Sequence, residues 1–451
     1  MAKKKQIELT IEEKLQNALV PKEEQPYKIP NNWCWVRLDF LLKEICNGTT
    51  IKQNKEGKTA RVTRIESLQN NTIDFNRIGN IVNESLIKDK DWYIEGDIIV
   101  SHINSIEHVG KSAVITRDML PLVHGMNLLR LRLNNICNSQ FFQLYTRTTD
   151  YKKSIVNRVN RAVNQVSINQ KQLCSLEIPI TNLKEQQRIV NRIESLFVKL
   201  DRAKELIENT LAQFEQNKMA ILHKAFTGEL TVKWRKKNNI DLSSWKKYEL
   251  KEVFKVVKDK YNPQIENQIV NYIGLENIET SKGIINKNNS SEVKSIKTKF
   301  KKDDVLYGKL RPYLNKHDVV NFDGICSTDI LVFRFDNINT AKYINYYFNL
   351  PMFIQYAVEN SSGINLPRVS EKTISKYKIS LPIIEEQQEI VNILDKLLAK
   401  YNKIKNLEQQ LEKIELLKKA ILAKAFRGEL GTNNPDEESA ENLLKEILAE
   451  K

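Results

Sequence analysis

The chain has 451 residues, of which 41% are hydrophobic, so it is long enough for two or three domains with apolar cores. Its formal net charge of +15 favours a polyanionic partner such as nucleic acid, although a lysine-rich composition from an AT-rich genome would give the same excess. No apolar run reaches the roughly 18 residues of a membrane helix. No secretory signal is recognisable, and the five cysteines are scattered, so we expect a cytoplasmic protein without a disulfide framework.

The first part of the chain predicts a short helical extension followed by a mixed domain. Residues 1–30 contain an amphipathic stretch at 12–19 that predicts a short helix. From 31 to 182, short β-rich runs alternate with a helical patch at 140–151, which predicts a mixed α/β domain. The predicted strands are 97–100, 113–116 and 128–133.

A long amphipathic helix is predicted over residues 183–230. Its apolar side chains recur in alternating steps of three and four residues, which is the pattern of a coiled-coil seam. Pro179 stands before the helix and Gly228 near its end, as expected for a helix start and stop. At about 1.5 Å per residue, such a helix is about 60 Å long, and it needs a partner to cover its apolar stripe.

The second half of the chain repeats this order. Residues 231–244 are predicted as a linker, 245–383 as a second mixed α/β domain, 384–430 as a second long helix and 431–451 as a helical tail. The elements predicted within these segments are strands at 304–307 and 330–335 and helices at 341–355 and 441–448.

Two pairs of matching segments indicate an internal duplication. Residues 185–191 and 386–392 share Glu-Gln-Gln-x-Ile-Val-Asn, and residues 224–230 and 424–430 share Lys-Ala-Phe-x-Gly-Glu-Leu. The offset is 201 residues for the first pair and 200 for the second, which chance does not explain. An antiparallel second helix would return the chain to the first domain and create a pseudo-twofold axis. We therefore predict an α+β fold, with two mixed α/β domains separated by a long antiparallel coiled-coil helix pair.

The sequence offers little support for a catalytic site. Gly110-Lys111-Ser112 resembles the end of a phosphate-binding loop, but Ser105 stands where the earlier glycine is needed, and a β-like run follows instead of a helix. The histidines and cysteines lack the spacing of metal ligands. We predict no catalytic residue, no cofactor and no metal site in this chain.

Polar and basic residues near corresponding strands of the two domains are candidates for nucleic-acid contacts. Lys and Arg side chains bind phosphates and guanine edges, and Asn suits adenine. An ordinary solvated surface is the alternative for each of them, and the basic stretches 234–237 and 294–302 are assigned to a linker and a solvated face. The candidates are Ser101, His102, Asn104, Arg158, Asn160 and Arg161 in the first domain and Lys309, Arg311 and Arg368 in the second.

Together these motifs resemble the specificity subunit of type I restriction-modification systems. The resemblance covers nearly the whole chain. It implies two target-recognition domains, each reading half of a split double-stranded DNA sequence, with the helix pair setting the gap. It rests on Pro382 before Glu386-Gln387-Gln388, the two Lys-Ala-Phe-x-Gly-Glu-Leu segments, a Gly-Asp-Ile-Ile-type strand in each half, and the opening segments Ala18-Leu19-Val20-Pro21 and Pro30-Asn31-Asn32-Trp33.

The resemblance also implies partners. Such a subunit assembles with two methyltransferase subunits and, for cleavage, with two ATP-driven restriction subunits. S-adenosylmethionine, ATP and Mg²⁺ would belong to those partners. Two other interpretations stay open: a free-standing pseudo-dimeric DNA-binding regulator, which would need no partner, and a fused nuclease or methylase, which would act on DNA unaided.

Overall fold

The computed structural model describes residues 10–54, 60–163, 165–266, 268–280, 282–404 and 406–450. These residues fall into two compact units. Unit 1 contains the described residues up to Glu205 and from Gln410 onward, and unit 2 contains those from Leu206 to Gln409. The first long helix therefore contributes its first half to unit 1 and its second half to unit 2.

Unit 1 begins with a short helix and then alternates strands with helices, as the sequence predicts. The helices are α1 (Ile11–Ala18), α2 (Leu38–Leu41), α3 (Ser139–Thr146), α4 (Thr149–Arg158), α5 (Gln170–Cys174) and α6 (Leu183–Phe226), of which α6 continues into unit 2. The strands are β1 (Cys34–Arg37), β2 (Leu42–Asn47), β3 (Gln53–Asn54), β4 (Ala60–Val62), β5 (Leu68–Gln69), β6 (Thr72–Ile73), β7 (Gly79–Ile81), β8 (Ile98–Ser101), β9 (Ile103–Asn104), β10 (Ser112–Val114), β11 (Leu128–Leu133), β12 (Asn160–Ala162), β13 (Gln165–Ser167) and β14 (Glu177–Ile180).

The central sheet of unit 1 is antiparallel and has the strand order β10-β8-β11-β2. Its side chains alternate between two apolar cores. Ile98 and Val100 lie in the larger core, whereas Ile99 lies in the smaller one. Successive side chains of a strand point to opposite faces, so a strand buried on both faces is apolar at consecutive positions.

Unit 2 follows the same succession of elements. The strands are β15 (Lys246–Glu249), β16 (Lys255–Val256), β17 (Lys260–Tyr261), β18 (Asn271–Ile273), β19 (Ile278–Glu279), β20 (Gly283–Ile284), β21 (Asn288–Asn289), β22 (Lys297–Phe300), β23 (Val305–Gly308), β24 (His317–Val319), β25 (Gly324–Cys326), β26 (Ile330–Arg334) and β27 (Lys378–Leu381). The helices after α6 are α7 (Val232–Lys237), α8 (Ile338–Tyr347), α9 (Pro351–Glu359), α10 (Glu371–Ser375), α11 (Ile384–Ile404), α12 (Asn406–Ala425) and α13 (Ala440–Glu450), of which α13 and most of α12 belong to unit 1.

The central sheet of unit 2 repeats that of unit 1. Its order is β24-β23-β26-β16, so each strand occupies the place of its counterpart in the first sheet. Val305 and Tyr307 lie in one core and Leu306 in another, which repeats the alternation as well. The duplication seen in the helix sequences therefore extends to the folds of both domains, and the predicted mixed α/β class is confirmed.

A buried ion pair occupies the same position in both sheets. The carboxylate of Asp97, just before β8, accepts hydrogen bonds from Nε and Nη2 of Arg132 at 2.8 and 2.9 Å. Asp304, just before β23, accepts the corresponding bonds from Arg334 at 2.8 and 2.7 Å. Both aspartates are almost inaccessible to solvent. A buried carboxylate needs a partner, and in both sheets an arginine supplies it. This pairing allows an aspartate to stand at a buried position just before the repeated strand.

Helices α6 and α12 run antiparallel within unit 1. Asp201 pairs with Lys418, and three residues later Lys204 pairs with Glu415, with Nζ and Oε1 3.3 Å apart. Residue numbers fall along α12 as they rise along α6, which defines the antiparallel direction. The pairing predicted from the helix sequences is thus confirmed within unit 1.

The two terminal helices, α1 and α13, pack into unit 1. Leu15 and Ala18 of α1 lie in the same core as Leu444 and Leu448 of α13, and all four side chains are nearly inaccessible to solvent. The Nζ atom of Lys14 also donates to the carbonyl oxygen of Leu448 at 3.4 Å. The chain itself therefore covers the apolar faces of both helices.

Two basic stretches differ from the sequence-based expectation. The sequence predicts a linker at 234–237, but these residues belong to helix α7, where Arg235 is buried. It also predicts a solvated face at 294–302, but Thr298 and Phe300 are buried on one side of strand β22. In each case one or two buried side chains lie among lysines that are exposed or half-buried, and the local composition does not reveal them.

Candidate nucleic-acid interface

In unit 1, strand pairing brings together two stretches that the sequence identifies separately. Strand β13 pairs with β12 on one side and with β9 on the other. Val166 lies opposite Asn104, and the backbone amide of Ile168 donates to the carbonyl oxygen of His102 at 2.8 Å. One three-stranded element therefore carries candidate residues from both stretches.

Ser101 and His102 lie at the base of this element. The hydroxyl of buried Ser101 accepts a hydrogen bond from Asn104 Nδ2 at 3.2 Å. His102 is half-buried, and burial lowers the pKa of its imidazole. Its Nδ1 atom is buried and has no hydrogen-bond partner among the described residues, which leaves it able to pair with a polar group of a ligand. The imidazole lines an open cavity of about 420 Å³ together with Asn47, Leu129, Asn169, Gln170 and Lys171.

Arg158 is held by the domain itself. Its guanidinium pairs with Glu177, a carboxylate that also accepts a hydrogen bond from Arg37 Nη1 at 2.6 Å. Arg158 Nη1 donates in addition to the carbonyl oxygen of Ser154 at 3.2 Å. Two arginines on one largely buried carboxylate tie α4 and β1 to β14, so Arg158 has a structural role in unit 1.

Asn160 and Arg161 lie on the outer strand of the three-stranded element. Every residue of β12 is exposed. The Oδ1 atom of Asn160 accepts a hydrogen bond from Gln172 Nε2 at 3.2 Å, which orients the amide. The exposed guanidinium of Arg161 is accessible to a phosphate or to the edge of a base.

In unit 2, the two candidate stretches are again joined through their backbones. The amide of Val369 donates to the carbonyl oxygen of Lys309 at 3.0 Å, and the amide of Arg311 donates to that of Pro367 at 2.7 Å. Leu310 and Arg368 form an antiparallel bridge between these bonds. The basic residues after β23 and those before α10 therefore form one continuous surface.

The side chain of Arg368 is fixed by Asp329. Nε and Nη2 of the guanidinium donate to the two carboxylate oxygens at 2.9 and 3.3 Å. This pairing, together with the nearby charge of Lys309, lowers the pKa of the Asp329 carboxyl. The side chain of Arg311 is exposed, and its backbone adopts a left-handed conformation with φ of 52°.

Comparison with known proteins identifies the family. A family model described as the type I restriction modification DNA specificity domain matches residues 31–215 and again 243–416. A protein of Methanocaldococcus jannaschii described as a type I restriction enzyme MjaX specificity subunit is 30% identical over 418 residues, which cover 89% of this chain and 95% of that protein. This chain belongs to the type I restriction-modification specificity subunits. The predicted resemblance is confirmed.

Further relatives agree with this assignment. The EcoDI specificity subunit of Escherichia coli is 28% identical over 314 residues, covering 62% of this chain and 70% of its own. Among solved structures, the HsdS subunit from Thermoanaerobacter tengcongensis covers 90% of this chain with a TM-score of 0.55 and 18% identity. A chain from a study of type I R-M complex assembly and conformational transition covers 90% with a TM-score of 0.66 and 18% identity. The solved structures support the fold.

Within the described ranges, no three His, Cys, Asp or Glu side chains are grouped closely enough to hold a metal ion. No helix in the part of the chain that the structure describes is long and apolar enough to span a bilayer.

Sequence reasoning missed several residues around the candidate surface of the specificity subunit. Asp329 fixes Arg368, but only the position of Asp329 just before a predicted strand hints at this pairing in the sequence. Tyr313 is 52% exposed two residues after Arg311, where an aromatic ring could stack on a base. The polar residues of α5, such as Lys171, reach the cavity beside His102 only because of the tertiary fold.

Proposed function

We propose that this specificity subunit reads a split double-stranded DNA sequence, with one half-site for each domain. The supporting observation is the repeated junction of two candidate loops. In each unit, the segment after strand β8 or β23 is hydrogen-bonded to the loop that precedes α5 or α10. Each domain thereby presents one set of polar and basic side chains. The two sets differ in sequence, as two readers of unlike half-sites require.

Within each set, charged and amide side chains have different roles. Arg161 in unit 1 and Lys309 and Arg311 in unit 2 supply positive charge for phosphates or guanine edges. Asn104 and Asn160 supply amides that suit adenine. Arg158 and Arg368, being paired with carboxylates, position the surface and contribute less to direct contact. The chain's net charge of +15 supports the electrostatic part of the binding.

The long helices have a separate role in this proposal. The helix pair sets the unspecified gap between the half-sites. They also carry the most strongly repeated sequence in the chain, which suits contacts with two identical partners. Those partners are two methyltransferase subunits, joined for cleavage by two restriction subunits.

The chemistry belongs to the partners in this account. S-adenosylmethionine, ATP and Mg²⁺ would be bound by the methyltransferase and restriction subunits, and this chain would supply sequence recognition alone. Family membership supports this division of roles.

Purification from the native host tests the assembly. We expect the chain to co-purify with methyltransferase subunits, and the complex to methylate DNA while the isolated chain does not. A monomer that binds its DNA site without a bound methyltransferase would instead establish a free-standing regulator. Methylation or cleavage by the chain alone would establish an enzyme.

Arginine variants provide the matched test of the DNA surface. Arg161→Ala and Arg311→Ala are each expected to weaken binding of the complex to its target about tenfold, because each removes one charged contact. Arg117→Ala, a basic surface residue outside the candidate loops, is the control. Equal affinities for all three variants would show that DNA lies elsewhere.

A further inference from the structure

The loops that carry the candidate residues also expose two aliphatic side chains at corresponding positions. Val163 directly follows β12, and Ile364 lies in the loop between α9 and α10. We propose that each of these side chains contacts the methyl group of a thymine in the major groove, one in each half-site. The proposal rests on the function proposed above and names the apolar part of base recognition.

Sequence spacing relates the two residues. Val163 and Ile364 are 201 residues apart, which is the offset of the repeated Glu-Gln-Gln segments. Each is followed by asparagine, Asn164 and Asn365, although Asn164 lies outside the described residues. A β-branched aliphatic residue followed by Asn therefore occurs at the same offset in both loops, whose neighbouring residues differ.

Both side chains are solvent-exposed to an unusual degree. The exposed fraction is 91% for Val163 and 101% for Ile364. Single exposed aliphatic residues are common on protein surfaces and need no special explanation. Here, however, the same kind of residue occurs at the same place in two domains.

Hydrogen bonds fix the backbone near Val163 and Ile364, which we call the two loop tips. In unit 2, amide-to-carbonyl bonds of 3.0 and 2.8 Å join Ser362 and Arg368 and close the loop that contains Ile364. Five residues after each tip, Ile168 and Val369 are fully buried, and their amides bond to the candidate segments after β8 and β23. The tips are thus presented by fixed supports, as a recognition loop requires.

The positive charges near the two tips favour DNA as the partner of these loops. Arg161 stands two residues before Val163 and is exposed, while Lys309 and Arg311 belong to the segment bonded to the Ile364 loop. An apolar side chain near cations is complementary to DNA, because a thymine methyl is the apolar group of the major-groove edge and the phosphates carry negative charge. In unit 2, Asn365 beside Ile364 suits an adenine in the same stretch.

Deoxyuridine provides a direct test, since it differs from thymidine by the methyl group alone. The complex with its methyltransferase subunits is titrated with its split target, and single thymines in each half-site are replaced by uracil. We expect one replacement per half-site to weaken binding about fourfold, the value of one buried methyl group. Val163→Ala should weaken binding to a similar degree and should abolish the uracil effect in its half-site only. Ile364→Ala should do the same in the other half-site.

Two exposed aliphatic residues away from the loops serve as matched controls. Val82 in unit 1 is 60% exposed and Ile265 in unit 2 is 76% exposed. Val82→Ala and Ile265→Ala should leave the affinity and the uracil effects unchanged. The inference is overturned if the tip variants match these controls, or if uracil weakens wild type and variants equally. Those outcomes leave the proposed function intact, because a split target is still bound; absence of any split target overturns both.

Discussion

The hydroxyl of Thr231 donates a 2.6 Å hydrogen bond to the buried carboxylate of Glu386. Thr432 makes the same bond, also of 2.6 Å, to the buried carboxylate of Glu185. Thr231 follows the end of α6 and Glu386 stands near the start of α11, whereas Thr432 follows the end of α12 and Glu185 stands near the start of α6. The repeated Glu-Gln-Gln and Lys-Ala-Phe-x-Gly-Glu-Leu segments, found separately in the sequence, therefore form one joint that occurs once in each unit.

The joint in unit 2 depends on a buried ion pair. Arg235 Nη1 donates to Glu386 Oε1 at 2.5 Å, and Trp245 Nε1 donates to Oε2 at 2.9 Å. Arg235→Met should lower the free energy of unfolding by about 3–5 kcal/mol, because it leaves a buried carboxylate without its cation. Chemical denaturation measures the change. Lys236→Met, an exposed neighbour on the same helix, is the control, and an equal loss in both variants would contradict a role for the pair.

The phenylalanine of each Lys-Ala-Phe-x-Gly-Glu-Leu segment packs against the domain that precedes the other copy of the segment. Phe426 packs on Phe141 and Tyr145 of α3 at ring-centroid distances of 5.0 and 5.1 Å. Phe226 packs on Tyr343 and Tyr347 of α8, both at 5.0 Å. The core of the first domain is thus completed by the residue that follows α12, and the core of the second domain by the last residue of α6.

This crosswise packing predicts crosswise effects. Phe426→Ala should destabilise unit 1 by about 3–5 kcal/mol, because the buried ring leaves a cavity. Hydrogen exchange should accelerate in α3 and remain unchanged in α8. Phe226→Ala should show the reverse pattern. Faster exchange in both helices of either variant would count against two separately completed units.

Two glycines after α12 have left-handed backbone conformations, and only one of them lies close to another residue. Gly428 has φ of 72°, and a Cβ atom there would lie 2.3 Å from Pro30 Cγ. Gly431 has φ of 70° but open space around it. Gly431→Ala should cost about 1 kcal/mol from left-handed strain alone, and Gly428→Ala should cost more because Pro30 must also move. Thermal denaturation compares the two variants, and equal costs would show that contact with Pro30 is unimportant.

Buried histidines predict acid sensitivity in both units. Burial lowers the pKa of His317 to about 4 and that of His124 to about 3, both below the ordinary value of 6.5. The unfolded chain therefore binds protons that the folded chain does not, so stability is full above pH 6.5 and falls as the pH drops toward 4. The loss for His317 alone is about 3 kcal/mol.

Denaturation midpoints between pH 7 and 4 measure this dependence. His317→Gln should flatten the slope, while His223→Gln, at an exposed position on α6, should leave it unchanged. An unaltered slope in His317→Gln would contradict the assignment of the titrating group.

The sequence predicted the features that depend on local periodicity. The three- and four-residue spacing revealed α6, and the apolar runs revealed strands such as β8 and β11. The offset of the repeats revealed the duplication. These signals lie within one element or in a comparison of two, so no knowledge of tertiary contacts was needed.

Local sequence patterns do not predict contacts between distant segments. Nothing local to Phe426 indicates that it packs on α3, and nothing near Arg158 shows that Glu177 takes up its charge. The candidate loops around Asn104 and Arg161 were identified separately, but their union depends on the pairing of β9 with β13. Such pairings arise from the whole fold and have no short-range signature.

The proposal that the helix pair sets the gap between the half-sites can be tested separately. Inserting one helical turn into both long helices should lengthen the unspecified gap in the target, because the turn adds about 5.4 Å to each helix. The half-sites themselves should be unaltered. A target with an unchanged gap would show that the helices do not set it.

Sequencing of methylated sites in host DNA tests the central claim most directly. Cells would carry the methyltransferase subunit with either this chain or a chimera whose residues 33–180 come from another specificity subunit. We predict a split methylated sequence for the wild-type chain, and a chimera sequence in which one half-site changes while the other half-site stays. A continuous sequence, or a change in both half-sites, would contradict recognition by two independent domains.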